Sequence, residues 1–137
     1  PDAAREVSME YRFDAAARYT RTHEWVRVEG GEAVIGVSDY AQHSLSDVVF
    51  VEAPGPGTPL DREKPFTVIE SVKAAEDVIA PVSGTVTAKN ARLEKEPELV
   101  NKDPFGDGWL VRVKLTDAKE LDALMDEAAY RKFVASL

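Results

Sequence analysis

The chain has 137 residues, 44% of them hydrophobic and 31% charged, a balance that fits one soluble globular domain. Its net charge of −8 works against binding nucleic-acid phosphates and favours protein partners with basic docking surfaces. It contains no cysteine, which excludes disulfide scaffolds, thiolate nucleophiles and cysteine-based metal sites.

No apolar run approaches the roughly 20 residues needed to cross a bilayer, so no membrane role is expected. Residues 1–12 mix charge with alanine and lack both an apolar stretch and an arginine-rich bias. They read as neither a secretory signal nor a transit peptide, and as a poorly ordered lead-in to a single domain over 13–137. A cytoplasmic location is the default expectation.

From Tyr19 the text turns β-rich. Glu24-Trp-Val-Arg-Val-Glu29 alternates, Gly30-Gly31 turns the chain, and Ala33-Val-Ile-Gly-Val37 predicts a second strand. Ser38 to Leu45 predicts one or two helical turns with Ser38 as N-cap. Val48-Val-Phe-Val-Glu52 resumes the strand pattern. Gly55-Pro-Gly-Thr-Pro59 is a rigid loop, not a linker, because apolar runs continue after it. Phe66-Thr-Val-Ile69, Val78-Ile-Ala-Pro-Val82 and Gly84-Thr-Val-Thr-Ala88 are further strand candidates. Asn90 to Val100 predicts a short helix, Asn101 to Gly108 a turn-rich loop, and Trp109 to Leu115 a final strand. In the tail, Leu121, Leu124, Met125 and Ala128 share the spacing of one helix face. The register then slips, and Asp126 is a candidate N-cap for a second short helix. Short strands with peripheral helices predict a mainly β fold, a sandwich or flattened barrel.

Conventional catalytic patterns are missing. His23 in Thr-His-Glu-Trp lacks the second histidine of a zinc-binding HExxH helix, and His43 lies among polar neighbours. There is no GxSxG, and Gly55-Pro-Gly57 leads into Thr-Pro rather than a helix, so it cradles no phosphate. The chain therefore reads as non-catalytic. One segment is set apart by symmetry: the apolar runs Phe66–Ile69 and Val78–Val82 flank the polar stretch Glu70 to Asp77. If the runs pair as a hairpin, Lys73-Ala74 is its tip. Glu, Lys and Ala favour helix, and tight hairpins prefer Asn-Gly or Gly-X. On residue chemistry alone Lys73 is equally a solvated surface lysine, one of eight lysines in the chain.

Tyr19-Thr-Arg-Thr-His-Glu-Trp-Val26, Val37-Ser-Asp-Tyr-Ala-Gln42, Asp47-Val-Val-Phe-Val-Glu52 and Glu70-Ser-Val-Lys-Ala74 resemble segments of the H proteins of the glycine cleavage system. So do Ala80-Pro-Val-Ser-Gly84, Pro97-Glu-Leu-Val-Asn101 and Asp103-Pro-Phe-Gly-Asp-Gly-Trp109. The segments occur in the family's order from about Phe13 to the carboxyl end. The resemblance implies a lipoyl-carrier (barrel-sandwich hybrid) fold, with short peripheral helices and a C-terminal helical segment. It implies lipoic acid in amide linkage to Lys73, on an exposed hairpin that modifying enzymes recognise through Glu70, Ser71, Val72 and Ala74.

The implied function is a carrier. It would accept the aminomethyl group of glycine from a pyridoxal-phosphate glycine decarboxylase (P protein) and offer it to an aminomethyltransferase (T protein). Dihydrolipoyl dehydrogenase (L protein) would then reoxidise it, and lipoyl- or octanoyl-attaching enzymes would load it. The alternatives are an H-like binding module or lipoyl donor to other complexes, and a lipoyl or biotinyl domain of an acyltransferase or carboxylase. Those last usually carry Asp-Lys or Met-Lys-Met at the tip, where this chain has Val72-Lys73-Ala74. A hydrolase lacks a nucleophile. Three departures from the family pattern bear on local backbone shape: Thr67 replaces a small residue, Lys64-Pro65 replaces a glycine-acid turn, and Ser46 stands where glycine often ends the short helix.

Overall fold

A computed structural model describes residues 10–137. Nine strands form two antiparallel sheets: β1 (Arg18–Tyr19), β2 (Glu24–Glu29), β3 (Glu32–Val37), β4 (Val48–Val51), β5 (Pro59–Leu60), β6 (Pro65–Ser71), β7 (Ala75–Ile79), β8 (Gly84–Lys89) and β9 (Val111–Leu115). The larger sheet has the order β1-β2-β3-β9-β8-β5, and the smaller β4-β6-β7. The larger sheet is not closed on itself, so the molecule is a flattened barrel-sandwich. Its helices are short: α1 (Asp39–Leu45), α2 (Leu99–Lys102) and α3 (Glu127–Ala135), with 3₁₀ turns at Ala91–Glu94 and Ala118–Ala123.

β3 lies in the part of the larger sheet that is covered on both faces, which is why it reads as an apolar run, whereas β8 keeps one face to solvent and alternates. The cross-strand row Val26, Ile35 and Val111 points into the space between the sheets. There it meets Leu60, Val82 and Val86, while Val51, Ile69, Val78 and Leu110 fill the adjoining half. Phe66 packs against both halves. On the outer face Tyr19 pairs with Trp25, and Trp25 with Gly36. A Cβ on Gly36 would lie 2.7 Å from the indole, so glycine there makes room for the tryptophan. α3 closes this face: Tyr130 stacks on Tyr19 at 4.2 Å between ring centroids, and Val134 joins the same cluster.

Local chemistry explains the element ends. The Ser38 hydroxyl accepts from the Ala41 amide and starts α1, and the Asp126 carboxylate accepts from the Ala129 amide and starts α3. Ser46 ends α1 at φ 68°, a conformation that costs a non-glycine residue about 1–3 kcal/mol. Its amide donates to Gln42 and its carbonyl accepts from Asn101, which hold it there. Of the lead-in expected over residues 1–12, residues 1–9 lie outside the described residues. Tyr11 sits edge-on to Tyr40 at 5.3 Å, and Arg12 reaches both carboxylate oxygens of Asp39.

The structure corrects three expected elements. The strand placed at Val78–Val82 begins at Ala75 and ends at Ile79, because the polar residues before Val78 pair with β6. The helix expected over Asn90–Val100 is a 3₁₀ turn, then a bend through Pro97, then α2. The tail has no single helix face: Leu121 and Leu124 pack beneath the larger sheet, whereas Met125 joins the aromatic cluster around Tyr19 and Tyr130.

Candidate functional site

β6 and β7 pair from Glu70 with Ala75 to Thr67 with Val78, leaving Ser71 to Ala74 as the hairpin end. The turn lacks the Asn-Gly or Gly-X pair that a two-residue loop ordinarily requires. Ser71 supplies a substitute. Its amide donates to the Ala74 carbonyl at 2.8 Å, and its hydroxyl oxygen accepts from the amides of Lys73 and Ala74 at 3.2 and 3.1 Å. The Val72 amide donates to the Asp47 carbonyl at 2.9 Å, tying the tip to the segment after α1. The local helix preference of Glu, Lys and Ala loses to this cross-strand pairing, as weak propensities do.

Lys73 is exposed at the tip. Its Nζ donates to the Ser44 carbonyl in the last turn of α1 at 2.7 Å, where the unpaired carbonyls of a helix end favour a cation. Beside it opens a cleft of about 300 Å³ between α1 and the free edge of β7. Val37, Leu45, Ile69 and Val78 form its apolar floor, and Glu76 and Asp77 stand on its rim with Lys73 and Ala74. A flexible apolar chain attached at Lys73 has a place to lie there.

The cleft's far wall holds His23 and Tyr40, with ring centroids 4.6 Å apart. His23 Nδ1 is 2.8 Å from the Tyr130 hydroxyl, which is 2.7 Å from the Ser38 hydroxyl. Burial pushes the imidazole below its ordinary value. Nearby, Glu24 is 2% exposed; its carboxylate accepts from the Ile79 amide at 3.0 Å and from the Thr20 and Thr22 hydroxyls. Burial pushes this carboxyl up, against the downward pull of those hydrogen bonds.

Of the residues singled out in the sequence, Ser71, Val72, Lys73 and Ala74 thus share the turn. Glu70 lies on the outer sheet face opposite Phe50, turned from the cleft by strand alternation. The cleft brings Ser44, His23 and Glu76 together, residues that no spacing in the sequence relates to one another. Only the register, which sets Glu76 opposite Ile69, identifies which face of the hairpin they meet. Among the described residues no cluster of His, Asp and Glu could hold a metal, and no helix is long and apolar enough to cross a membrane.

The family model of the glycine cleavage H-protein matches residues 17–137. The chain is 53% identical over 119 residues to a glycine cleavage system H protein of Halorhodospira halophila, covering 86% of this chain and 92% of that one. It is 56% identical over 114 residues to a probable glycine cleavage system H protein of Haloarcula marismortui, covering 83% and 90%. The crystal structure of an H protein of this system from Mycobacterium marinum superposes with a TM-score of 0.81. It is 28% identical, covering 91% of this chain and all of that one.

Proposed function

The chain belongs to the glycine cleavage H-protein family, and from that premise we propose that it is the lipoyl carrier of glycine cleavage, with the lipoyl group in amide linkage to Lys73. The observation that carries this reading is the hairpin tip: an exposed primary amine, held by a serine-stapled turn, beside a cleft with an apolar floor. The residues fit the group. The amine is open to an attaching enzyme, amide formation removes a charge that the apolar floor would oppose, and the remaining N–H can still donate to Ser44. When bound, the lipoyl group supplies a cyclic disulfide that takes up the aminomethyl group and is later reoxidised.

The chain's own residues do the rest. Ser71 and the Val72–Asp47 bond fix the direction in which Lys73 leaves the fold. Val37, Leu45, Ile69 and Val78 offer the cleft an apolar floor, and Glu76, on the same face as Ile69, favours a cationic amine at its mouth over an anion. Tethering turns successive encounters with three enzymes into local ones at high effective concentration. A chain with no cysteine offers no internal thiol for exchange with the arm. The implied partners are the P, T and L proteins and the lipoyl- or octanoyl-attaching enzymes, and we assign the carrier to the cytoplasm with them. It has no catalytic residue of its own in this scheme.

The test is reconstitution. Protein lipoylated at Lys73 should support glycine decarboxylation by the pyridoxal-phosphate enzyme, and Lys73→Arg should support none. A lipoylated chain that supports none would overturn the carrier role and leave the lipoyl-donor role in its place.

A further inference from the structure

The two faces of the β4-β6-β7 sheet differ in kind. Val51, Ile69 and Val78 are buried on the inner face. Strand alternation turns their neighbours outward, and the registers set Phe50 opposite Glu70 and Val68 opposite Asp77. Phe50 is 47% exposed, Val68 41%, and Val72 at the tip 65%. Val49, at the irregularity in β4, is exposed as well. The exposed large hydrophobics among the described residues are Val28, Val49, Phe50, Val68, Val72 and Leu137, so four of the six gather on this sheet and its tip. A solvated antiparallel face ordinarily carries polar side chains, and an apolar patch rimmed by polar groups marks an interaction surface.

The rim charge narrows the partner. Glu70 and Asp77 stand on the face, Glu52 follows β4 and Asp47 precedes it, and all four are exposed acids. Lys64 precedes β6 at the far end and Lys73 stands at the tip, where acylation of its amine removes that charge. A partner with a basic rim is therefore drawn more strongly to the acylated protein than to the free amine. That suits an enzyme that uses the arm better than the enzyme that attaches it, which must release its product. A second copy of this chain would set acid against acid at a net charge of −8 each. The cleft lies on the inner side of the same hairpin, so this face stays open with the arm at rest there.

We propose that the outer face of this sheet, centred on Phe50, Val68 and Val72, is the docking surface for an enzyme that acts on the acylated arm and offers an apolar centre ringed by lysine and arginine. The surface rests on the reading of Lys73 as the attachment site. Val72 directly precedes Lys73, so seating this face brings the arm to the partner's active site.

The experiment immobilises the lipoylated protein and measures binding of glycine decarboxylase by interferometry at several salt concentrations. Phe50→Ser/Val68→Thr should weaken binding at least tenfold with an unchanged melting temperature. Glu70→Gln/Asp77→Asn should slow association several-fold and flatten its salt dependence, as loss of electrostatic steering requires. Unacylated protein should bind more weakly than acylated, and Val28→Thr, on β2 of the other sheet, should bind as wild type. Equal binding by wild type and the Phe50/Val68 variant overturns the proposal, as does a wild type that does not bind. Sedimentation showing wild-type self-association that this variant abolishes would instead make the face a contact between copies. A lipoyl adduct away from Lys73 would sink the functional reading; an adduct at Lys73 with unaffected variants would sink the surface alone.

Discussion

Glu24→Ala tests whether a buried carboxylate holds the end of the strand that presents Lys73. The carboxylate bridges β2 to the last amide of β7, at 3.0 Å from the Ile79 nitrogen, with two threonine hydroxyls sharing its other oxygen. Thr22 is exposed and Thr20 half-buried, so their hydroxyls can turn to water or to each other, but the Ile79 amide loses its carboxylate acceptor in the variant. A hydrogen bond to a charged group is worth about 1.5–3 kcal/mol. Removing a charge that burial already penalises returns part of this, leaving a net loss of about 2 kcal/mol. For a chain of this length that is a fall of about 8 °C in melting temperature, at about 4 °C per kcal/mol. The pH dependence has a definite sign. Because the folded carboxyl is raised above its ordinary 4.5, the stability it contributes is fully present below that value. It declines as pH rises through the folded value. The deficit of Glu24→Ala should therefore be larger at pH 4 than at pH 7. Urea unfolding followed by tryptophan fluorescence measures both. A variant that unfolds with wild type at both pH values would refute the reasoning.

Three further outcomes are expected. Gly84→Ala drives a Cβ into the Lys114 carbonyl oxygen, a backbone atom that cannot step aside, and should cost about 1–3 kcal/mol in urea unfolding. Gly55→Ala, with nothing within 4 Å, should stay within about 0.5 kcal/mol. The His23 imidazole is lowered by burial, so its contribution is present above the ordinary 6.5 and lost as pH falls through the folded value. His23→Asn, which tolerates the φ of 75°, should therefore lose less stability than wild type between pH 7.5 and 5; parallel curves would contradict this. Glu70→Ala should slow lipoyl attachment in a timed mass assay while changing stability by no more than about 0.5 kcal/mol, since its side chain is exposed.

Where side-chain periodicity and caps decide an element, the sequence made it legible. β2, β3, the Ser38 cap of α1 and the Asp126 cap of α3 follow from residues a few positions apart. It failed where distant pairing decides. β1 and β5, two residues each, exist only because Tyr19 pairs with Trp25 and Pro59 with Thr85. The start of β7 at Ala75 opposes local helix preference, and only β6 across from it explains the choice. The same holds at the site. Glu70-Ser-Val-Lys-Ala drew notice by sequence resemblance. The Ser71 staple is local chemistry that could have been inferred from a serine two and three residues before the amides it accepts from. The cleft could not, because α1 and β7 meet only in the fold.

The central claim is that Lys73 alone carries the lipoyl group. Protein from its native source, and Lys73→Arg made in the same cells, should be weighed intact, digested and mapped at every lysine. Wild type should carry one adduct, on the peptide containing Lys73, and the variant none while melting as wild type does. An adduct on another lysine, or one that survives Lys73→Arg, would contradict the account.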